Sequence, residues 1–153
     1  MENLKVVIAD DEERICQLIQ ALVNWDGLGI EIAEMAHNGI EAFDVVQKVR
    51  PDILITDIRM PGLSGLELIE KVKAACPEME IIIISGYAHF EYAQQAIRFG
   101  VGHYLLKPIN KAELTETLEK LKSKIGQRQE SERDKQVLIQ KAQKNEDYMR
   151  SKL

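Results

Sequence analysis

Cysteine is scarce: only Cys16 and Cys76 occur among 153 residues, and neither belongs to a CxxC pair or a cysteine–histidine cluster. That excludes a disulfide framework and a cysteine-based zinc site, and it makes a reducing cytoplasm the expected compartment. Both thiols sit in or beside helical patterns and read as small buried hydrophobes. Histidine is nearly as rare. His37, His89 and His103 are isolated, with no metal-ligand spacing, and are expected in surface or partly buried structural roles. No apolar run approaches the roughly 18–20 residues of a membrane span. Met1 leads directly into a strand-like run, with no basic segment or small-residue cleavage site, so no signal peptide is expected. Basic charge is not in excess either. The net charge of -5 argues against a dedicated nucleic-acid surface, because phosphate backbones call for a basic face. What is present is a globular mixture of 45% hydrophobic and 29% charged residues. A chain of this length buries roughly 68–70% of its unfolded surface and needs no staples.

The charge is unevenly spread. Residues 1–110 carry 9 Lys+Arg against 17 Asp+Glu, and residues 111–153 carry 11 against 8. The first part alternates short apolar runs with helical patterns. Lys5–Asp10, Ile30–Ala36, Ile53–Asp57, Ile81–Ser85 and His103–Leu106 read as strands. Arg14–Val23, Gly39–Val49, Leu66–Ala75 and Phe90–Phe99 read as helices between them, with Gly100 as a stop signal. From Lys111 a helical pattern runs on without a clear end. Five such alternations predict an α/β fold, a doubly wound sheet of five parallel strands with an extended C-terminal helix. The all-apolar Ile81–Ile84 suits a strand buried on both faces.

In such sheets the functional site lies beyond the C-terminal ends of the strands. That rule selects Asp10 and Asp11 after the first run, Asp57 after the third, Ser85 at the end of the fourth and Lys107 after the fifth. Any one strand-end carboxylate reads equally well as a solvated residue or a helix cap. Three carboxylates, a hydroxyl and an amine together read as a site. Clustered carboxylates repel one another unless a cation joins them, and hard oxygen donors favour Mg²⁺. A carboxylate can also attack phosphorus to form an aspartyl phosphate. That chemistry wants a metal or an ammonium on the phosphoryl oxygens.

The pieces Val-Val-Ile-Ala-Asp10-Asp11-Glu12, Ile-Leu-Ile-Thr-Asp57-Ile-Arg-Met60-Pro61-Gly62, Leu63-Ser-Gly65, Ile-Ile-Ile-Ile-Ser85-Gly86 and Tyr104-Leu-Leu-Lys107-Pro108 resemble the receiver domain of two-component response regulators. The likeness spans about residues 3–122. It implies the flavodoxin-like receiver fold with strand order 2-1-3-4-5. It implies Asp57 as phosphoacceptor with a sensor histidine kinase as donor. Mg²⁺ would be held by Asp11, Asp57 and the backbone carbonyl of Arg59, with Asp10 acting largely through a bound water. Lys107 would pair with the acceptor and then with the phosphoryl group, and the Lys107–Pro108 bond would be cis. Ser85 and Tyr104 would form the switch pair, Ser85 turning to the phosphoryl group and Tyr104 rotating inward behind it. A homodimer through the face of the fourth helix, fifth strand and fifth helix is a further implication.

Asn24-Trp25, Leu28-Gly-Ile-Glu-Ile, Ala36-His-Asn-Gly39-Ile-Glu-Ala42 and Ser85-Gly-Tyr-Ala-His-Phe-Glu-Tyr-Ala93 are similar to receivers of AraC-type (YesN-like) transcriptional response regulators. Those carry a C-terminal DNA-binding domain, for which the tail is too short. The expected organisation is a receiver over 1–125 and a helical linker over 126–153, cut from a longer regulator, with a stand-alone receiver as the alternative. His103 stands where this group often has Asp and reads as a surface or interface residue. Arg59 and Tyr87, two residues after the acceptor and after Ser85, are expected to shield the acyl phosphate. Gly62 and Gly65 suggest a tight loop beside Asp57, and Trp25 is expected to pack the end of the first helix.

In the tail, Leu114, Leu118, Leu121 and Ile125 fit the last helix packing onto the sheet. Beyond them a three-and-four spacing reaches Arg128, Glu132, Lys135, Ile139, Ala142, Glu146, Met149 and Leu153. This is an interrupted coiled-coil seam and a second possible dimer contact. Three other functions compete. An aspartate-nucleophile phosphatase wants a second Asp where Arg59 stands. A flavin or dinucleotide module wants a glycine- or hydroxyl-rich first turn where Asp10-Asp11-Glu12-Glu13 stands. A structural receiver that is never phosphorylated would not need the five-residue set.

Overall fold

The computed structural model describes residues 3–86 and 90–151, with side chains described up to Gly86 and from Glu91 to Lys144. The expectations placed on Tyr87, His89 and Leu153, and on the side chains of Glu146 and Met149, lie outside these. Five strands are β1 (Leu4–Ala9), β2 (Ile30–Ala36), β3 (Ile53–Thr56), β4 (Glu80–Ser85) and β5 (His103–Leu106). Between and after them lie α1 (Glu13–Leu22), α2 (Trp25–Leu28), α3 (Gly39–Val49), α4 (Gly65–Ala75), α5 (Phe90–Arg98) and α6 (Lys111–Ser151). All pairings are parallel and the order is β2-β1-β3-β4-β5, as expected for a doubly wound sheet.

Burial explains the strand sequences. Every residue of β3 and β4 is buried, so neither needs a polar alternation. Val7, Leu54 and Ile83 join Val45 and Val46 of α3 and Leu68 and Val72 of α4 in one apolar cluster. Polar caps set the helix starts: Asn38 Oδ1 accepts the N–H of Glu41 at 2.8 Å before α3, and Ser64 Oγ accepts that of Glu67 at 3.2 Å before α4. Gly100, with φ 85°, follows α5 as the stop signal predicted.

The one-turn α2 was not legible as a helix. Asn24 Oδ1 accepts the N–H of Gly27 at 3.2 Å, and Gly29 closes the turn at φ 70°. Trp25 opens it, and its indole N–H donates to Gln20 O of α1 at 3.1 Å, which secures the end of the first helix. Along β1 and β2 the register slips between Val6 and Val7, which pair with Ile32 and Glu34, so Ala33 is an extra residue in β2.

Residues up to Glu119 form one compact unit and those from Lys120 a second. Within the first, Leu114 and Leu118 of α6 are fully buried. Leu121 and Ile125 are buried too, but every side chain from Gln129 to Lys144 is exposed. Among the described residues no helix is long and apolar enough to cross a membrane.

Candidate functional site

Parallel pairing brings the ends of β1 and β3 side by side. The Asp57 N–H donates to Ala9 O at 3.1 Å, and the Asp10 N–H donates to Ala36 O at 3.0 Å. These backbone bonds fix both carboxylates at one edge of the sheet. Asp10 and Asp57 are only 2% and 7% exposed. Asp10 Oδ1 accepts the N–H of Glu12 at 2.9 Å, and Asp57 Oδ1 accepts that of Ile58 at 2.6 Å. Asp11 is exposed, at the mouth.

Lys107 arrives from the far side. Its N–H donates to Ser85 O at 2.8 Å, and its ammonium donates to Asp57 Oδ2 at 2.9 Å and Asp10 Oδ2 at 3.1 Å. The Lys107–Pro108 bond is cis, as expected. Burial pushes the Asp10 carboxyl above its ordinary pKa, and the bonds to Glu12 N–H and Lys107 only partly offset this. Burial would lower the Lys107 ammonium, but its bonds to Asp57 and Asp10 outweigh that and hold it above the ordinary lysine value. Ser85 is wholly buried at the end of β4. Tyr104 of β5 is half-buried, and its side chain shares a hydrogen bond with that of Ser85. Burial raises the tyrosine hydroxyl's pKa.

Carboxylate oxygens of Asp10, Asp11 and Asp57 all lie within 4.8 Å of one another. Three hard oxygen donors at that separation fit one small divalent cation, with water or phosphate oxygens completing its shell. The sequence-predicted residues therefore meet: Asp10, Asp11, Asp57 and Lys107 surround one point, with Ser85 and Tyr104 joined beside it. Arg59 is exposed on the loop from Asp57 to α4, and with Asp11, Met60 and Pro61 it lines a cavity of about 510 Å³. His103 is half-buried in β5. Cys16 is buried, its thiol pushed up to about 11 chiefly by that burial, which keeps it protonated and unreactive.

Sequence reasoning missed the backbone supports. The Thr56 hydroxyl donates to Asp57 O at 2.9 Å. A Cβ on Gly65 would lie 1.9 Å from that same carbonyl oxygen, so α4 starts against the backbone of Asp57. Gly39, at the start of α3, meets the loop in the same way: its Cβ would lie 1.8 Å from Leu63 O. For Gly65 the expected tight loop beside Asp57 pointed to its contact, and for Gly39 a glycine that opens a helix was the only signal.

Known proteins resemble this chain in sequence and fold. The family model described as the response regulator receiver domain matches residues 6–119. The chain is 43% identical over 117 residues to the transcriptional regulatory protein YesN of Bacillus subtilis (strain 168), a stretch covering 76% of this chain and 32% of that protein. It is 37% identical over 117 residues to the transcriptional regulatory protein HptR of Staphylococcus aureus (strain N315), covering 76% and 46%. The REC domain of AraT, a response regulator from Geobacillus stearothermophilus, superposes with a TM-score of 0.79 at 39% identity, covering 84% of this chain and 99% of that one. A two component transcriptional regulator AraC from Clostridium phytofermentans ISDg gives 0.77 at 33% identity, covering 83% and 98%. The chain thus spans about a third to a half of the length of YesN and HptR.

Proposed function

This chain belongs to the response regulator receiver family of two-component signalling, and on that premise we propose that Asp57 accepts a phosphoryl group from a sensor histidine kinase. Receiver domains are regulators and not classical enzymes. One observation carries the reading: the Lys107 ammonium bridges Asp10 and Asp57, two members of a cluster of three carboxylates. An Asp57 oxygen attacks phosphorus, an O–P bond forms, the P–N bond to the donor imidazole breaks, and the imidazole leaves. Lys107 neutralises charge on Asp57 before transfer and on a phosphoryl oxygen after it. Asp10, Asp11, Asp57 and the carbonyl of Arg59 would hold Mg²⁺, Asp10 largely through a water. A divalent cation there supplies neutralisation of the phosphoryl oxygens. Three carboxylates and one ammonium leave two negative charges, the amount such an ion cancels.

Ser85 carries the signal outward. Its hydroxyl can serve Tyr104 or a phosphoryl oxygen on Asp57, and the redirected bond moves Tyr104 inward and changes the surface around α5 and β5. Residues 1–125 would act as the receiver and 126–153 as a linker towards an output domain. The names of the transcriptional regulators YesN, HptR and AraC support transcriptional control as that output, exerted by DNA binding outside this chain. Dimerisation through the α5–β5–α6 face or the later part of α6 would couple the two, and the cytoplasm is where such a switch would work.

The test is incubation with Mg²⁺ and acetyl phosphate, or the beryllofluoride mimic, beside Asp57→Asn. The parent gains the mass of one phosphoryl group and Asp57→Asn gains none. A parent left unmodified at saturating donor would end this reading and favour a structural receiver.

A further inference from the structure

The turn between β2 and α3 gives no side chain to the acidic pocket, yet it touches both of the pocket's walls. Ala36 O accepts the Asp10 N–H at 3.0 Å, which holds the first wall. Three residues later, Gly39 abuts the loop that follows Asp57. A Cβ at Gly39 would lie 1.8 Å from Leu63 O and 2.6 Å from Leu63 C, both backbone atoms that cannot swing aside. Next to it, Ile40 is 60% exposed, yet its Cδ1 would lie 3.1 Å from a Cβ on Gly62. The turn itself is firm. Asn38 Oδ1 accepts the N–H of Glu41 at 2.8 Å, and the Glu41 carboxylate accepts that of His37 at 3.4 Å.

Gly39 does not serve an unusual backbone angle. The described glycines with positive φ are Gly29, Gly62 and Gly100. Gly39 therefore provides space. The loop it meets borders open space as well as packed residues: Gly62 and Leu63 contact α3, while Ile58, Arg59, Met60 and Pro61 line the cavity of about 510 Å³. A methyl group at position 39 has to push Leu63 back by more than an ångström. The loop has room to yield towards that cavity without unfolding the sheet.

We propose that Gly39, braced by Ile40, is a positioning residue for the divalent-cation site, setting where the Asp57–Gly65 loop presents the Arg59 carbonyl. This rests on the reading of Asp10, Asp11, Asp57 and Arg59 as the Mg²⁺ site. Mg²⁺ demands near-ideal octahedral geometry at short distances, so even the part of that displacement passed along the loop from Leu63 to Arg59 weakens a carbonyl ligand. The helix itself does not suffer from the change, since alanine is a better helix former than glycine. Lost cation affinity in Gly39→Ala is therefore a loop effect.

The experiment compares the whole chain with Gly39→Ala and Ile40→Ala. Mg²⁺ alone is titrated by calorimetry, helix content and Tm are recorded, and acetyl phosphate labelling is followed against Mg²⁺ concentration. Gly39→Ala is expected to keep its helix content and to bind Mg²⁺ about tenfold more weakly, about 1.4 kcal/mol. The half-saturating Mg²⁺ for labelling rises by the same factor, and the rate at saturating Mg²⁺ returns to within about twofold of the parent. Ile40 is exposed, so Ile40→Ala folds even if Gly39→Ala does not, and a rise of about threefold in its Mg²⁺ dissociation constant is expected. Parent-like Mg²⁺ affinity in a folded Gly39→Ala, or in Ile40→Ala where Gly39→Ala is unfolded, overturns the proposal. A parent that itself binds no Mg²⁺ sinks the underlying reading, an outcome distinct from the other two.

Discussion

In the unit that ends at Glu119, Ile53, Leu54, Ile82 and Ile83 are completely buried, whereas in the unit that begins at Lys120, Val137, Leu138 and Ile139 stand 48%, 66% and 57% exposed. The first unit derives its order from apolar area removed from water. From Gln129 onward the second has backbone hydrogen bonds and neighbouring side chains one turn away, contributions that are marginal for an isolated helix. The same chemical letters therefore mean different things in the two units. An isoleucine in β4 is structure, and an isoleucine at 139 is surface. The acids divide too: those of the first unit include a cluster held against one ammonium, and those of the later helix are mixed with bases along an exposed surface.

The comparison can be broken most sharply with Leu54→Ala. Removing that buried side chain should cost about 2–5 kcal/mol in denaturant unfolding. A loss below 1 kcal/mol would mean that the buried strands are not what holds the first unit together. Next in size is Lys107→Ala, which withdraws the one ammonium shared by Asp10 and Asp57. Labelling by acetyl phosphate should slow about 100-fold, with the fold retained. An unchanged rate would leave the charge cluster without a chemical role.

A smaller effect concerns Asp10 alone. Its folded pKa lies above the unfolded value, so protonation favours the folded state. The stability its proton contributes is fully present below the unfolded pKa and is lost as pH rises through the folded pKa. At neutral pH the ionised carboxylate is thus a burden on the fold, and Asp10→Asn should raise Tm by a few degrees while weakening Mg²⁺ binding. The Tm gain should vanish towards pH 3. A variant less stable than the parent at neutral pH would mean that the Lys107 bridge outweighs burial. The smallest effect belongs to Leu138→Ala, which should change stability by no more than about 0.5 kcal/mol. A loss comparable with that of Leu54→Ala would show that this stretch of helix is covered in solution by another surface.

The strands and the chemical groups were legible for related reasons. Parallel strands buried on both faces leave apolar runs, and the residue after each run falls at one edge. Asp10, Asp57, Ser85 and Lys107 could be placed without knowing any contact. Pro108 after Lys107, Gly100 after α5 and Gly62 in the loop likewise carry their backbone behaviour in their identity. What could not be read depends on through-space contacts between backbones distant in sequence. Nothing in Gly39 announces Leu63, whereas Gly65 was legible as part of a tight loop beside Asp57 but not as a contact with its carbonyl. The α2 turn escaped because four residues are too few for a helical period, although Asn24 and Gly29 mark its ends. The bond between Ser85 and Tyr104 was legible as a pair of residues but not as a contact already made.

The register slip in β2 has a consequence for how the sheet ends. A sheet edge offers unpaired N–H and C=O groups to any extended chain that meets it. At one border the extra residue Ala33 interrupts the ladder and twists the strand, with the charged Glu31 and Glu34 on either side. At the other, β5 offers only four residues, His103–Leu106, and a proline follows Lys107 at once. Each border is thus a poor template, one by irregularity and the other by brevity. The sheet stops at five strands on both sides, and new partners are steered towards side-chain surfaces and away from strand exchange.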